Sequence, residues 1–92
     1  MVKSYPVDFG TYKVWYKNAS ILSHHREDGP ARLYKNGDEE WLQNNLFHRI
    51  DGLARIFHWN NNIIQEWWIN GKKIHCKDND EFLRIIKLKL LW

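Results

Sequence analysis

The sequence predicts a mainly β fold: an antiparallel meander of about six strands, built from hairpin repeats and capped by a C-terminal α-helix. Three observations predict it. Six Trp, four Tyr and four Phe make 15% of the 92 residues aromatic, and aromatic side chains favour strands while burying about 150–250 Å² each. A phrase beginning at His25, "HREDGPARLYKNG", returns 23 positions later at His48 as "HRIDGLARIFHWN", and self-similarity at such a period is the mark of a repeat architecture. Turn-forming pairs punctuate the chain at Lys35-Asn36-Gly37-Asp38, Asn60-Asn61-Asn62 and Asn70-Gly71, where Asn and Gly tolerate the positive φ that hairpins need.

The elements follow from these signals in order. "TYKVWY", "ARLY", "EEWL", "LARIFHW" and "IIQEWWI" are short runs rich in aromatic and β-branched residues. Several alternate apolar with polar, as in Arg55-Ile56-Phe57-His58-Trp59, which suits a strand with one buried face. No hairpin of this size covers its own apolar face, so stacking of repeats is expected to do so. The repeat hairpins are expected over about 10–78 and the helix over about 79–92, all in one domain, 1–92. At the helix start Asp78 stands three residues before Glu81, as in a capping box. Phe82, Leu83, Ile86 and Leu90 share one helical face, although Ile86-Lys87-Leu88-Lys89-Leu90 also alternates like a strand.

Aligned by its motifs, the chain reads as three copies. "WYKN" at Trp15, "WLQN" at Trp41 and "WING" at Trp68 precede His25, His48 and His75 by 10, 7 and 7 residues, so the first copy holds three extra residues in its turn. Asp28, Asp51 and Asp78 follow each His at three positions, then Gly29 and Gly52 in the first two copies only. A feature required in every copy is most simply explained by folding and stacking. Asp28 and Asp51 are expected to bond backbone N–H groups, and Gly29 and Gly52 to supply an unusual φ. Arg26 and Arg49 should reach a neighbouring repeat's carboxylate, and each His should donate a ring N–H across its hairpin. Trp41 and Trp68 are expected in the repeat core with these motif residues.

The bulk properties narrow the chemistry. Fourteen Lys and Arg against eleven Asp and Glu give a net charge of +3, mild for a dedicated nucleic-acid binder. One cysteine, Cys76, allows no internal disulfide, and no signal peptide or apolar run of about 18 residues is recognisable, so a cytoplasmic protein without a membrane span is expected. Zinc-ligand spacings, a P-loop, G-x-G-x-x-G and G-x-S-x-G are absent from the sequence. His75 and Cys76 are adjacent and would face opposite sides of a strand. No catalytic residue, metal or cofactor is therefore expected.

The Trp-x-x-Asn/Gly turns followed by His-Arg-x-Asp-Gly-Pro-Ala resemble the degenerate MORN-like repeats of phage, giant-virus and bacterial proteins. The likeness covers about Gly10 to Trp92. "HREDGPA" matches the phrase, "HRIDGLA" departs at Leu53, and "HCKDND" departs at Cys76 and Asn79. The resemblance implies a β-hairpin scaffold for interaction and no catalytic residue. By analogy with small phage proteins it implies a phage- or virus-encoded inhibitor or adaptor in the host cytosol, acting on a host or defence protein in the manner of an anti-CRISPR counter-defence factor.

Positions where copies differ toward large aromatics are the candidates for a partner surface. Trp67 aligns with Glu40, and His58 and Trp59 replace Lys35 and Asn36. Trp59, Trp67 and His58, with Arg84 and Lys87 of the basic helix, form the expected partner-binding set. An open meander edge or the helix also offers a route to homo-oligomers. The alternative reading is nucleic-acid or anionic-nucleotide binding. Arg26, Arg32, Arg49 and Arg55 would form a ladder along one face, and Tyr34, Phe57 or Trp59 would serve as stacking platforms.

Overall fold

A computed structural model describes residues 3–18 and 23–90. The elements in order are β1 (Ser4–Asp8), β2 (Tyr12–Lys17), β3 (Arg32–Tyr34), β4 (Glu39–Glu40), β5 (Leu42–Gln43), β6 (Leu46–Phe47), β7 (Arg55–Trp59), β8 (Asn62–Ile69), β9 (Lys72–Ile74) and α1 (Asn79–Leu90). Seven strands form one antiparallel sheet in the order β1-β2-β3-β4-β7-β8-β9, and β5 and β6 pair as a separate two-stranded ribbon. The fold is the mainly β meander with a terminal helix that the sequence predicts.

The strand count differs from about six for two reasons. β1 precedes the repeats and pairs with β2 from Ser4↔Lys17 to Asp8↔Lys13, outside the span assigned to hairpins. The run "EEWL" is not one strand, because the chain leaves the sheet at Trp41 and its last residue, Leu42, begins the ribbon. The three extra residues of the first copy fall within 19–22, and the last two positions of the expected helix, 91–92, likewise lie outside the described residues.

Turn chemistry accounts for the hairpins. Gly37, Asn60, Asn61, Asn70 and Gly71 all adopt positive φ, at 93°, 49°, 63°, 47° and 78°, as Asn and Gly in tight turns can. Asn44 and Asn45 do the same at the tip of the ribbon, with φ of 52° and 66°.

Cross-strand partners in an antiparallel pair share a face, and alternate residues face opposite ways. The pairs Val14↔Arg32, Arg32↔Glu40, Glu40↔Arg55 and Arg55↔Glu66 therefore place these five side chains in one row across β2, β3, β4, β7 and β8. That side is called the ladder face. The opposite side carries Trp15 and Trp67, and it is the side on which α1 packs, through Phe82 against Trp67 with ring centroids 6.3 Å apart. The ribbon covers one end of the ladder face, where Phe47 meets Trp68 at 5.1 Å.

The helix begins as the sequence predicts. Asp78 Oδ1 accepts the Glu81 N–H at 2.9 Å, and Glu81 Oε1 accepts the Lys77 N–H at 3.3 Å, a capping arrangement at a terminus rich in acids. Phe82 and Ile86 are buried, but Leu83 is exposed, so the packed face is narrower than the expected four-residue set. Leu88 is also exposed. The helical register thus prevails over the strand-like alternation of residues 86–90. No described helix is long and apolar enough to cross a membrane.

Candidate functional site

The doubled motif builds a clamp. Arg26 lays its guanidinium over the Trp15 ring at 4.1 Å from Cζ to centroid. Its Nε donates to Asp28 Oδ1 at 3.1 Å and its Nη1 to the Pro30 carbonyl at 3.3 Å. The second copy repeats this atom for atom. Arg49 lies 3.8 Å over Trp41, with Nε donating to Asp51 at 2.7 Å and Nη1 to the Leu53 carbonyl at 3.1 Å. Each arginine therefore serves its own loop and its own tryptophan, not a neighbouring repeat. Asp28 and Asp51 hold the guanidinium instead of bonding the backbone turn.

The glycine has a different reason from the expected one. Gly29 and Gly52 are not among the positive-φ residues. A Cβ on Gly29 would lie 2.5 Å from Arg26 Cζ, and one on Gly52 3.1 Å from Arg49 Cζ. At Gly29 the guanidinium stands where a Cβ would collide with it, so a side chain there must displace the arginine, whereas at Gly52 a Cβ would make a tight contact.

The histidines link one copy to the next, and they do it as acceptors. Asn44 N–H donates to His25 Nδ1 at 3.0 Å, and Asn70 N–H donates to His48 Nδ1 at 3.0 Å. Around each contact two backbone bonds repeat: Arg26 N–H to Leu42 O and Asn45 N–H to His24 O, then Arg49 N–H to Trp68 O and Gly71 N–H to Phe47 O. A ring nitrogen that accepts is unprotonated, so both imidazoles carry their proton on Nε2. His24 Nδ1 likewise accepts Arg32 Nε–H, at 2.9 Å. Burial, the larger cause, and the Arg32 charge lower the His24 pKa, and burial lowers that of His48. His25 Nε2 is buried without a hydrogen-bond acceptor, the Glu27 carboxylate standing off at 3.5 Å.

These contacts also fix the third copy, one residue away from the expected alignment. Leu42 corresponds to Trp68 and Asn44 to Asn70, so Trp67, not Trp68, is the counterpart of Trp41. Ile74 pairs with Trp67 and occupies the slot of His48, which donates its N–H to Trp41 O. His75 is one position beyond and exposed. Where the clamp arginine would lie, α1 takes over: Phe82 covers Trp67, and Asn79 Oδ1 accepts Trp67 Nε1–H at 3.1 Å. Trp67 is consequently core, at 9% exposure, and not part of an open partner surface. The equivalent nitrogen of Trp41 is buried without a partner.

The ladder face holds the other two arginines. Glu40, 7% exposed, accepts Arg32 Nη1 at 3.1 Å and the Tyr34 hydroxyl at 3.0 Å on Oε1, and Arg55 Nε at 3.1 Å on Oε2. Glu66 accepts Arg55 Nη1 and Trp68 Nε1, each at 3.1 Å, while Lys73 Nζ stands 3.1 Å from its second oxygen. Burial alone would raise the Glu66 pKa, but the Lys73 and Trp68 bonds with the Lys73 and Arg55 charges hold it below the usual value. Burial and the Glu40 bond raise that of Tyr34. Arg55 is further stacked between Phe57 at 4.4 Å and Phe47 at 4.6 Å.

The arginines expected as one ladder are thus divided. Arg26, on Trp15, and Arg32, paired with Val14, lie on opposite faces of the sheet, and Arg26, Arg32, Arg49 and Arg55 each hold a carboxylate. Phe57 has one ring face under Arg55. Phe9, Tyr12 and Tyr34 stack on one another at 5.0 and 5.8 Å with planes within 26°. Rings stacked in a row leave few faces for a base.

The tip of the β7–β8 hairpin is different. His58 and Trp59 end β7, Asn60 and Asn61 make the turn, and Ile63 opposes His58. Trp59 is 65% exposed and Ile63 61%. Asp38 braces the tip, one carboxylate oxygen bonding His58 Nδ1 and the other accepting its backbone N–H at 3.4 Å. The His58 hydrogen bond, foremost, lowers the Asp38 pKa. Arg84 and Lys87 are exposed on α1.

An open cleft of about 430 Å³ lies between the second clamp loop and the start of α1, lined by Arg49, Asp51, Gln65, Trp67, Lys77 and Asp78 among others. None of His25, His48 and His75 lines it, and Arg49 and Asp51 are bound to each other. Among the described residues no three His, Cys, Asp or Glu side chains converge as metal ligands. Burial, with the Glu81 and Asp78 charges, raises the Cys76 thiol pKa, which opposes nucleophilic reactivity. Comparison with protein-family models, with curated proteins and with solved structures finds no match to this chain.

Proposed function

We propose that this chain is a non-catalytic binding module that engages a partner protein stoichiometrically through the tip of the β7–β8 hairpin. The observation that carries the reading is Trp59, 65% exposed at the end of a strand that Asp38 holds in place from a neighbouring turn. A large, rigid aromatic presented on a braced hairpin is the kind of residue that anchors interfaces. His58 and Ile63 extend the patch on the other side of the hairpin, and Arg84 and Lys87 supply charge elsewhere on the surface.

The motif residues support the same conclusion by elimination. Arg26 and Arg49, the aspartates beside them and the Nδ1 atoms of His25 and His48 are engaged in holding loops and copies together, which supports a structural role for the motif. On the resemblance to MORN-like repeats we place the protein in the cytoplasm of a host cell, encoded by a phage or virus and directed at a host or defence protein. The test is capture from host-cell lysate by the tagged protein, with Trp59→Ala beside it. One specific partner should be retained by the parent and lost with the variant. Capture of nothing, or of the same set by both, overturns the proposal.

A further inference from the structure

We infer that the β5–β6 ribbon is an acid-released strap: proton uptake by the histidines that fasten its two ends frees it from the ladder face while the sheet stays folded. None of the hairpin-tip residues takes part. The ribbon strands are two residues each, paired Leu42↔Phe47 and Gln43↔Leu46. Leu42 is buried and roots the segment. Beyond it Asn44, Asn45 and Leu46 are exposed, and Phe47, half-buried against Trp68 and beneath Arg55, is the apolar anchor. A segment that buries so little apolar area depends on its hydrogen bonds and opens before the sheet does.

Those bonds involve histidines at both ends. At the tip, Asn44 N–H donates to His25 Nδ1 at 3.0 Å. His24 grips Asn45 through its backbone, its N–H donating to Asn45 Oδ1 at 2.6 Å and its carbonyl accepting Asn45 N–H at 3.0 Å. At the foot, His48 follows Phe47 directly and accepts Asn70 N–H at 3.0 Å, beside the Gly71 N–H bond to Phe47 O at 2.9 Å. The His24 ring accepts Arg32 Nε–H at 2.9 Å. Each ring therefore accepts at the atom where a second proton would bind. An imidazolium has two donors and no acceptor, so protonation sets donor against donor at all three places. The accepted bond is lost and a charge is left partly buried, a conflict that ends when the segment lifts.

The surrounding charges do not relieve that conflict. His24 faces Arg32 from β3, which opposes its protonation, and Glu40 from β4, which favours it but already holds Arg32, Arg55 and the Tyr34 hydroxyl. Tyr16 of β2 meets the His24 ring edge-on. Glu27 stands 3.5 Å from His25 Nε2, the ring nitrogen turned away from Asn44. Lys17 Nζ, 2.7 Å from Asn44 Oδ1, adds positive charge at the same tip. Next to His48, Arg49 and Asp51 are paired with each other. Past the turn that His48 holds, Lys72 is exposed and Lys73 is paired with Glu66. Burial lowers the pKa of His24 and of His48, which keeps the strap closed at neutral pH and places its release below pH 6.5. Lifting uncovers Trp68 and the side of Arg55 that Phe47 shields.

Amide hydrogen exchange, read residue by residue by NMR at pH 7.5 and 5.0 and corrected for the intrinsic rate at each pH, tests the inference. In the parent the Asn44, Asn45, Asn70 and Gly71 amides should lose protection by about tenfold or more at pH 5.0. Those of Trp15, Ala31 and Ala54, which bond within the sheet, should keep theirs. His48→Asn, whose side-chain oxygen accepts but does not titrate, should hold Asn70 at pH 5.0 while Asn44 is still released. His25→Asn should do the reverse. The parent's own pattern decides the matter should either variant fail to fold. Unchanged protection in the parent, equal loss across sheet and ribbon, or acid release of Asn70 in His48→Asn and of Asn44 in His25→Asn overturns it.

Discussion

Replacing Gly29 by alanine separates two explanations of the same residue. Were the glycine there for backbone freedom at an ordinary negative φ, alanine would stabilise the protein by about 0.4–1 kcal/mol through the unfolded chain. The structure places Arg26 Cζ 2.5 Å from the added Cβ, so the guanidinium must leave. That forfeits the stack on Trp15, about 0.5–1 kcal/mol at a partly exposed site, and the bond to the Pro30 carbonyl, about 0.5–1.5 kcal/mol. The ion pair with Asp28 adds little, because the carboxylate is 67% exposed. Subtracting the gain from the loss leaves a destabilisation of about 1 kcal/mol, or a fall in Tm of about 4–8 °C for a domain this size. The assay is thermal unfolding by circular dichroism in a double-mutant cycle with Arg26→Ala. With the guanidinium gone, Gly29→Ala should become neutral or stabilising. An equal fall in Tm in both backgrounds refutes the reasoning. Gly52→Ala, whose Cβ meets Arg49 at 3.1 Å, should cost less than Gly29→Ala.

Three further outcomes follow from the same contacts. His24 and His48 have folded pKa values below the unfolded 6.5, so the unfolded chain binds their protons first; the stability they contribute is present above about pH 6.5 and is lost as pH falls below it, which urea midpoints at pH 7.5 and 5.5 will register as a decrease. Glu40→Ala leaves Arg32, Arg55 and the Tyr34 hydroxyl facing one another without their shared acceptor; a loss of about 3 kcal/mol is expected from removing one member of a buried ionic set, measurable by urea denaturation. Tryptophan fluorescence titrated with single-stranded oligonucleotide at low salt should stay flat, since Arg26, Arg32, Arg49 and Arg55 each hold a carboxylate and Phe57 and Tyr34 each have a ring face covered; a saturable response would restore the nucleotide reading.

The meander and its turns were legible because Asn and Gly mark positive φ wherever they interrupt aromatic runs, and the helix because Asp78 and Glu81 announce its start. The third copy was harder to read. Trp67 and Trp68 stand side by side, and the nearby His75 draws the alignment to the wrong one. The phrase "EW" followed by Asn44 or Asn70 three residues after the tryptophan contains the correct register, because Glu40 and Glu66 face the same arginine, Arg55. The role of Gly29 could not be read at all. Sequence gives the residue type, while the approach of a guanidinium from within the same loop is a distance. β1 escaped for a related cause, since it has no copy elsewhere and its pairing with β2 depends on Pro6 sitting where no N–H is needed.

The clamp is closed within its own loop, whereas the histidine acts only on the turn that comes after it. A duplicated unit inserted between the second and third copies would therefore bring its own lock and find both a histidine behind it and a turn ahead. Such a chain could lengthen by whole units while its first hairpin and its final helix stayed as they are, and α1 would end the array at whichever tryptophan came last.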